Sequence, residues 1–205
     1  MSDVLTELPK STEVQSERTP ARQPSTPPVE TDDFAKLVER CRTHKLADII
    51  ENTSVQHATI LMRGLLKHAA AEKTNVQIVS GKLFPGVFEL LVPTLQDALD
   101  NGCKVEVVTL CPEEDLEGNE FYSTLMHHPN ARAYVAGKQQ KEYTHFLLSG
   151  NAYRLEVDDG TKKAYASFND QDGILPAYLS DIFARWKKSL GVEGEGWSSR
   201  AKRTA

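Results

Sequence analysis

Apolar residues recur along the chain in two rhythms, and the change between them falls near residue 74. Before it the spacing is helical. Thr31-Asp32-Asp33 offers side-chain oxygens suited to capping a helix, and Phe34, Leu37, Val38 and Cys41 then fall on one face. A second helical pattern, Leu46-Ile49-Ile50, and a third, Ile60-Leu61-Leu65-Leu66 running to Ala71, extend this into a helical annex over residues 31–73. The annex either packs on the main domain or supplies a partner surface.

From residue 74 short apolar runs alternate with amphipathic stretches. VQIVSG (76–81), KVEVVTLC (104–111) and ARAYVAG (131–137) read as strands. Between them, residues 87–101 predict a helix with Pro93 as an interior irregularity and Asn101-Gly102 as its stop. Residues 112–118 read as an acidic loop, and 121–127 as a short helix closed by Pro129. The stretch KEYTHFLLSGNAYRLEVDDGTKKAYASFND (141–170) reads as two strands joined by a tight turn at Asp158-Asp159-Gly160. A last helix over 175–190 carries Leu179, Ile182, Phe183 and Trp186 on one face. Strands alternating with helices predict an α/β domain over residues 74–190, a mixed sheet flanked by helices.

Composition adds the ends of the chain. Residues 1–30 hold five of the ten prolines amid Ser, Thr, Glu and Arg. Too little apolar surface is available there to offset the entropy of ordering, so a disordered tail is expected. Residues 191–205, ending in SSRAKRTA, are expected as a flexible basic tail. A net charge of −5 argues against coating nucleic acid by bulk attraction, while a local basic patch leaves nucleic-acid binding open. No apolar run approaches the ~18 residues of a membrane span. MSDVLTELPK has acids and no apolar h-region, so a cytoplasmic protein is expected. Cys41, Cys103 and Cys111 contain no C-x-x-C pair and read as reduced core thiols, with no metal or cofactor implied. His127-His128 point apart on a helix that Pro129 ends, and Glu113, Glu114, Asp115 and Glu117 lack the spacing of a calcium loop, so both read as solvated surface.

The order strand, long helix, strand, short helix, strand, hairpin, helix over residues 76–190 resembles one half of the phospholipase D superfamily. The particular points of likeness are Ser80-Gly81 ending a strand, ALDNGCKVEVVTL, His145, Ala166-Ser167-Phe168-Asn169, and the closing IFARWKK. Enzymes of that family carry H-x-K-x4-D followed by G-S-x-N. Histidine suits the work because imidazole can attack phosphorus and leave again near neutral pH, while lysine and asparagine grip the charged oxygens. The resemblance implies that a single-motif chain builds its site across a homodimer axis.

Here His145 is kept, but the lysine slot holds Leu147 and the aspartate slot holds Ala152. Ser167 and Asn169 match G-S-x-N, with Ala166 in place of the glycine. His145 is thereby left without its cation and without an acid to fix its tautomer. His145, Ser167 and Asn169 read as vestiges, with no catalytic residue expected. These losses point to an inactive phospholipase D-like protein, homodimeric, that binds a protein partner as an inhibitor or regulator, for instance of plasmid conjugation. The alternatives are a dimeric phosphodiesterase or nuclease with an altered site, and a nucleic-acid-binding regulator.

Overall fold

The computed structural model describes residues 31–136, 143–158 and 163–190. The expected tails, 1–30 and 191–205, and the turn at Asp159-Gly160 lie outside the described residues. The elements run α1 (Thr31–His44), β1 (Ile50–Asn52), α2 (Val55–Glu72), β2 (Val76–Ser80), α3 (Pro85–Phe88), α4 (Val92–Asp100), β3 (Val105–Thr109), α5 (Glu120–His127), β4 (Ala131–Val135), β5 (Phe146–Ser149), β6 (Ala152–Asp158), β7 (Lys163–Ser167) and α6 (Ile174–Ser189). The strands form one seven-stranded mixed sheet in the order β1-β7-β6-β5-β2-β3-β4. β2, β3 and β4 are parallel, while β5, β6, β7 and β1 join antiparallel. The chain is thus α/β, with helices on both faces.

Side chains alternate across the sheet, and each face closes its own core. One face carries Ile78, Val107, Leu147, Ala152 and Ala166 against α1, α2, α4 and α5. The other carries Val79, Val108, Phe146, Leu148 and Tyr153 against Leu179 and Phe183 of α6. α6 packs on β2, β5 and β3, whereas α2 packs on β5 and β6. Pro93 falls in the first turn of α4, where its missing N–H is no loss, and a 3₁₀ turn over Glu89–Leu91 separates α4 from α3.

Residues 31–73 pack on the sheet. Leu61, Leu65, Leu66 and Ala69 of α2 are wholly buried in the same cluster as β2 and β3. Ser54 caps α2 by accepting from the His57 N–H at 3.1 Å, and Lys73 ends it in the left-handed conformation, φ 54°. Phe34 of α1 stacks on His57 with ring centroids 3.8 Å apart. Gly64 sets how closely the two helices approach, since a Cβ there would stand 2.8 Å from Val38 Cγ1 and 3.1 Å from Phe168 Cζ.

Two expectations need correction. The Leu46-Ile49-Ile50 pattern is not a helix: residues 46–49 are irregular and Ile50–Asn52 is the edge strand β1, paired with β7. Long-range pairing overrides the local periodicity there. The stretch 141–170 holds three strands, not two. Its first hairpin turns at Ser149-Gly150-Asn151, where Gly150 takes φ 58°, a conformation glycine adopts without steric cost.

Candidate functional site

β5 begins one residue after His145, and the Glu156 N–H donates to the His145 carbonyl at 2.9 Å. Strand pairing therefore brings the two side chains to one level, with His145 Nδ1 3.6 Å from Glu156 Oε2. Arg154, two residues earlier on β6, shares that face of the sheet and places Nη2 3.1 Å from the same oxygen. Its Nε donates to Asn52 Oδ1 of β1 at 3.3 Å. To do so the guanidinium crosses β7, where Ala166 and Ala164, both fully buried, stand opposite Arg154 and Glu156 and leave it room. The result is a row, Asn52–Arg154–Glu156–His145, lying across four strands.

The centre of this row is closed off from solvent, while the His145 side chain keeps 19% exposure. The Arg154 and Glu156 side chains are 2% and 5% exposed. Burial pulls the Arg154 pKa down, and the Glu156 carboxylate opposes it by charge and hydrogen bonding. His145 Nε2 is likewise inaccessible to solvent, and the ring lies nearly parallel to that of Phe88, 6.4 Å away. At the neighbouring end of β2, Gly81 approaches Tyr143 so closely that any Cβ would collide with the phenol. Geometry here leaves an imidazole held by a carboxylate, with the cation that neutralises that carboxylate buried beside it.

The expected slots behave differently from one another. Leu147 and Ala152 are core residues, 1% and 0% exposed. Directly opposite Leu147 stands Arg154, so a cation exists one strand away from the empty lysine slot, committed to Glu156 and Asn52. The expectation that His145 lacks an acid is corrected, because Glu156 takes that place. Neither Glu156 nor Asn52 stood out in the sequence; the R-x-E spacing on one strand face was the available signal.

Ser167 and Asn169 are not brought to His145. Ser167 stands opposite Tyr153, three residues along β7 from the level of Glu156, which puts it roughly 14 Å from His145 at usual strand spacings. It also lies on the α6 face, whereas His145 is on the α2 face. Ser167 Oγ accepts the Asn169 N–H at 3.3 Å, and Asn169 Nδ2 donates to the Lys45 carbonyl at 3.2 Å.

Those two residues instead line an open cleft of about 240 Å³. Ala47, Ile49 and Tyr153 are its apolar and aromatic lining, and Asp170, Gln171 and Asp172 add two carboxylates and an amide. Burial, and after it the charge of Asp170, push the Tyr153 phenol pKa up. Elsewhere, His127 Nδ1 lies 2.7 Å from the Ser123 carbonyl and His128 Nε2 3.5 Å from Asp100. Among the described residues no group of three or more His, Cys, Asp or Glu is placed to hold a metal. The three cysteines are free and buried, and burial pushes the Cys41 and Cys103 thiols up. No described helix is long and apolar enough to cross a membrane.

No family model and no curated protein matches the chain. Among solved structures it is similar to the one described as "Structure of TrmBL2, an archaeal chromatin protein, shows a novel mode of DNA binding", with a TM-score of 0.50 and 8% sequence identity. The match covers 76% of this chain and 58% of that one. At that identity the likeness is one of fold alone.

Proposed function

We propose that the chain is a catalytically inactive half-domain of the phospholipase D type that acts by binding a protein, as an inhibitor or regulator. The observation that carries this reading is the state of His145. Its Nε2 is walled in and its Nδ1 faces Glu156, while Arg154, the cation that shares that carboxylate, is itself buried and paired. A phosphoryl-transfer site needs donors free to meet charge as it develops on phosphorus, and removing one such donor costs roughly 10²–10³ in rate. Leu147 contributes none, Ser167 belongs to the opposite face of the sheet, and Asn169 is turned to the Lys45 carbonyl.

A homodimer is part of the proposal, because an isolated half-domain leaves a sheet edge uncovered. Inhibition of plasmid conjugation is the biological role we attach to it, by analogy of fold. DNA binding enters only as what is said of TrmBL2, and the net charge of −5 weighs against it here. The test is turnover of bis-p-nitrophenyl phosphate, single- and double-stranded DNA and a phospholipid, with and without divalent metal. No turnover is expected. Turnover abolished by His145→Ala would overturn the reading in favour of an altered-site phosphodiesterase, and salt-dependent retention of DNA without cleavage in favour of a nucleic-acid regulator.

A further inference from the structure

The cleft beside Ser167 and Asn169 has a chemical bias of its own. Two of its lining residues are carboxylates, Asp170 and Asp172, and no lysine or arginine lines it. Neither carboxylate forms an ion pair among the described residues. Asn169 spends one of its two amide N–H groups on the Lys45 carbonyl, which leaves its side-chain oxygen as an acceptor and the second N–H as a donor. Tyr153 is only 4% exposed, and its hydroxyl makes no hydrogen bond to another described residue and is not among the buried atoms that lack a partner, so it keeps contact with solvent. The cleft thus carries two negative charges and no positive one, while Ser167, Tyr153, Asn169 and Gln171 can donate as well as accept. One wall is apolar and includes Ile49, which is 64% exposed.

Size narrows the occupant further. At about 240 Å³ the cleft falls below the ~300–1,000 Å³ common for small-molecule sites. It has room for one long side chain. We propose that it takes an arginine presented by a protein partner, with the aliphatic stem against Ile49 and Tyr153 and the guanidinium meeting Asp170 and Asp172. Arginine has donors only, in a planar fork that fits carboxylates two at a time, and its stem covers apolar surface. Lysine presents a compact, strongly hydrated charge that makes poorer use of acceptors spread along a wall. The assignment rests on the protein-binding reading above and supplies the chemistry of one contact in it.

The test is an NMR titration of the ¹⁵N-labelled full chain with N-acetyl-arginine amide, N-acetyl-lysine amide and the neutral isostere N-acetyl-citrulline amide. A single side chain without the rest of its partner binds weakly, so saturation is expected at ~1–10 mM. Saturable shifts should centre on Tyr153 and residues 167–172, be smaller with the lysine amide, and be missing with citrulline. Asp170→Asn with Asp172→Asn should weaken the arginine amide by about tenfold or more. The denaturation midpoint of this double variant, measured alongside, should stay close to the wild-type value because Asp172 is exposed and neither carboxylate forms an ion pair among the described residues. No saturable shift, equal shifts from citrulline or lysine, or unchanged affinity in the double variant would overturn the assignment. Such a failure leaves the non-catalytic reading standing, since that reading falls to His145-dependent turnover or to DNA retention, neither of which involves this cleft.

Discussion

Replacing Glu156 by leucine leaves a guanidinium stranded inside the protein. Arg154, 2% exposed, would keep Asn52 Oδ1 at 3.3 Å and lose the carboxylate oxygen at 3.1 Å. Taking away one member of a buried ion pair costs about 3–5 kcal/mol, because the remaining charge is desolvated without compensation. A domain has about 5–15 kcal/mol in total, so Glu156→Leu should remove about a fifth of the stability at the least and most of it in a marginal fold. For a chain of this size that corresponds to a fall in Tm of roughly 6–20 °C. The double variant Arg154→Met/Glu156→Leu replaces both ions by apolar groups of similar bulk and should recover to within about 2 kcal/mol of wild type. Urea denaturation followed by circular dichroism gives both numbers, with an unchanged m-value as the control for a native-like fold. A single variant that loses less than about 1 kcal/mol, or a double variant as destabilised as the sum of its singles, would refute the claim that this pair is buried and mutually dependent.

Gly64→Ala should cost about 1–3 kcal/mol in the same assay despite alanine's better helix propensity, since its Cβ meets Val38 and Phe168 where α1 lies on α2. Burial holds the His68 pKa below the ordinary histidine range, with the charges of Lys45 and Arg42 adding to the effect and Glu72 opposing it. The unfolded chain therefore binds that proton more readily. Stability should fall as pH drops from neutral through ~6.5 toward the folded-state pKa, and His68→Gln should flatten that slope in denaturation midpoints taken across the window. Light scattering should give a dimer at working concentrations; a monomer throughout would remove that part of the proposal. His145→Ala should leave the inhibitory function of the protein intact, as read in a conjugation-frequency assay, because nothing in the proposed binding uses the imidazole.

Much of the fold was legible in the residues alone, and for a local reason. α2, α4, α5 and α6 carry their apolar stripes at helical spacing, and β2, β3 and β4 are short apolar runs bounded by polar or turn residues, so each declares its own conformation. The α/β class comes from their alternation. What sequence could not decide is whatever depends on pairing partners distant along the chain. Ile50–Asn52 became a strand because β7 was there to pair with it, against a helical-looking neighbourhood. Gly150-Asn151 was a hairpin signal, overshadowed by the later Asp-Asp-Gly. The candidate site turned on the same limit. His145 could be picked out by type, but the carboxylate beside it and the arginine behind that carboxylate are 11 and 9 residues away and reach it only through the β5–β6 register. Asn52 joins from 102 residues upstream of Arg154, across two buried alanines. Ser167, which the phospholipase D resemblance had grouped with His145 and Asn169, was separated from His145 by the β6–β7 register and by the two-residue period that assigns each strand side chain to a face. Local chemistry was written in the chain; which groups meet was decided by strand pairing, because only pairing fixes both level and face.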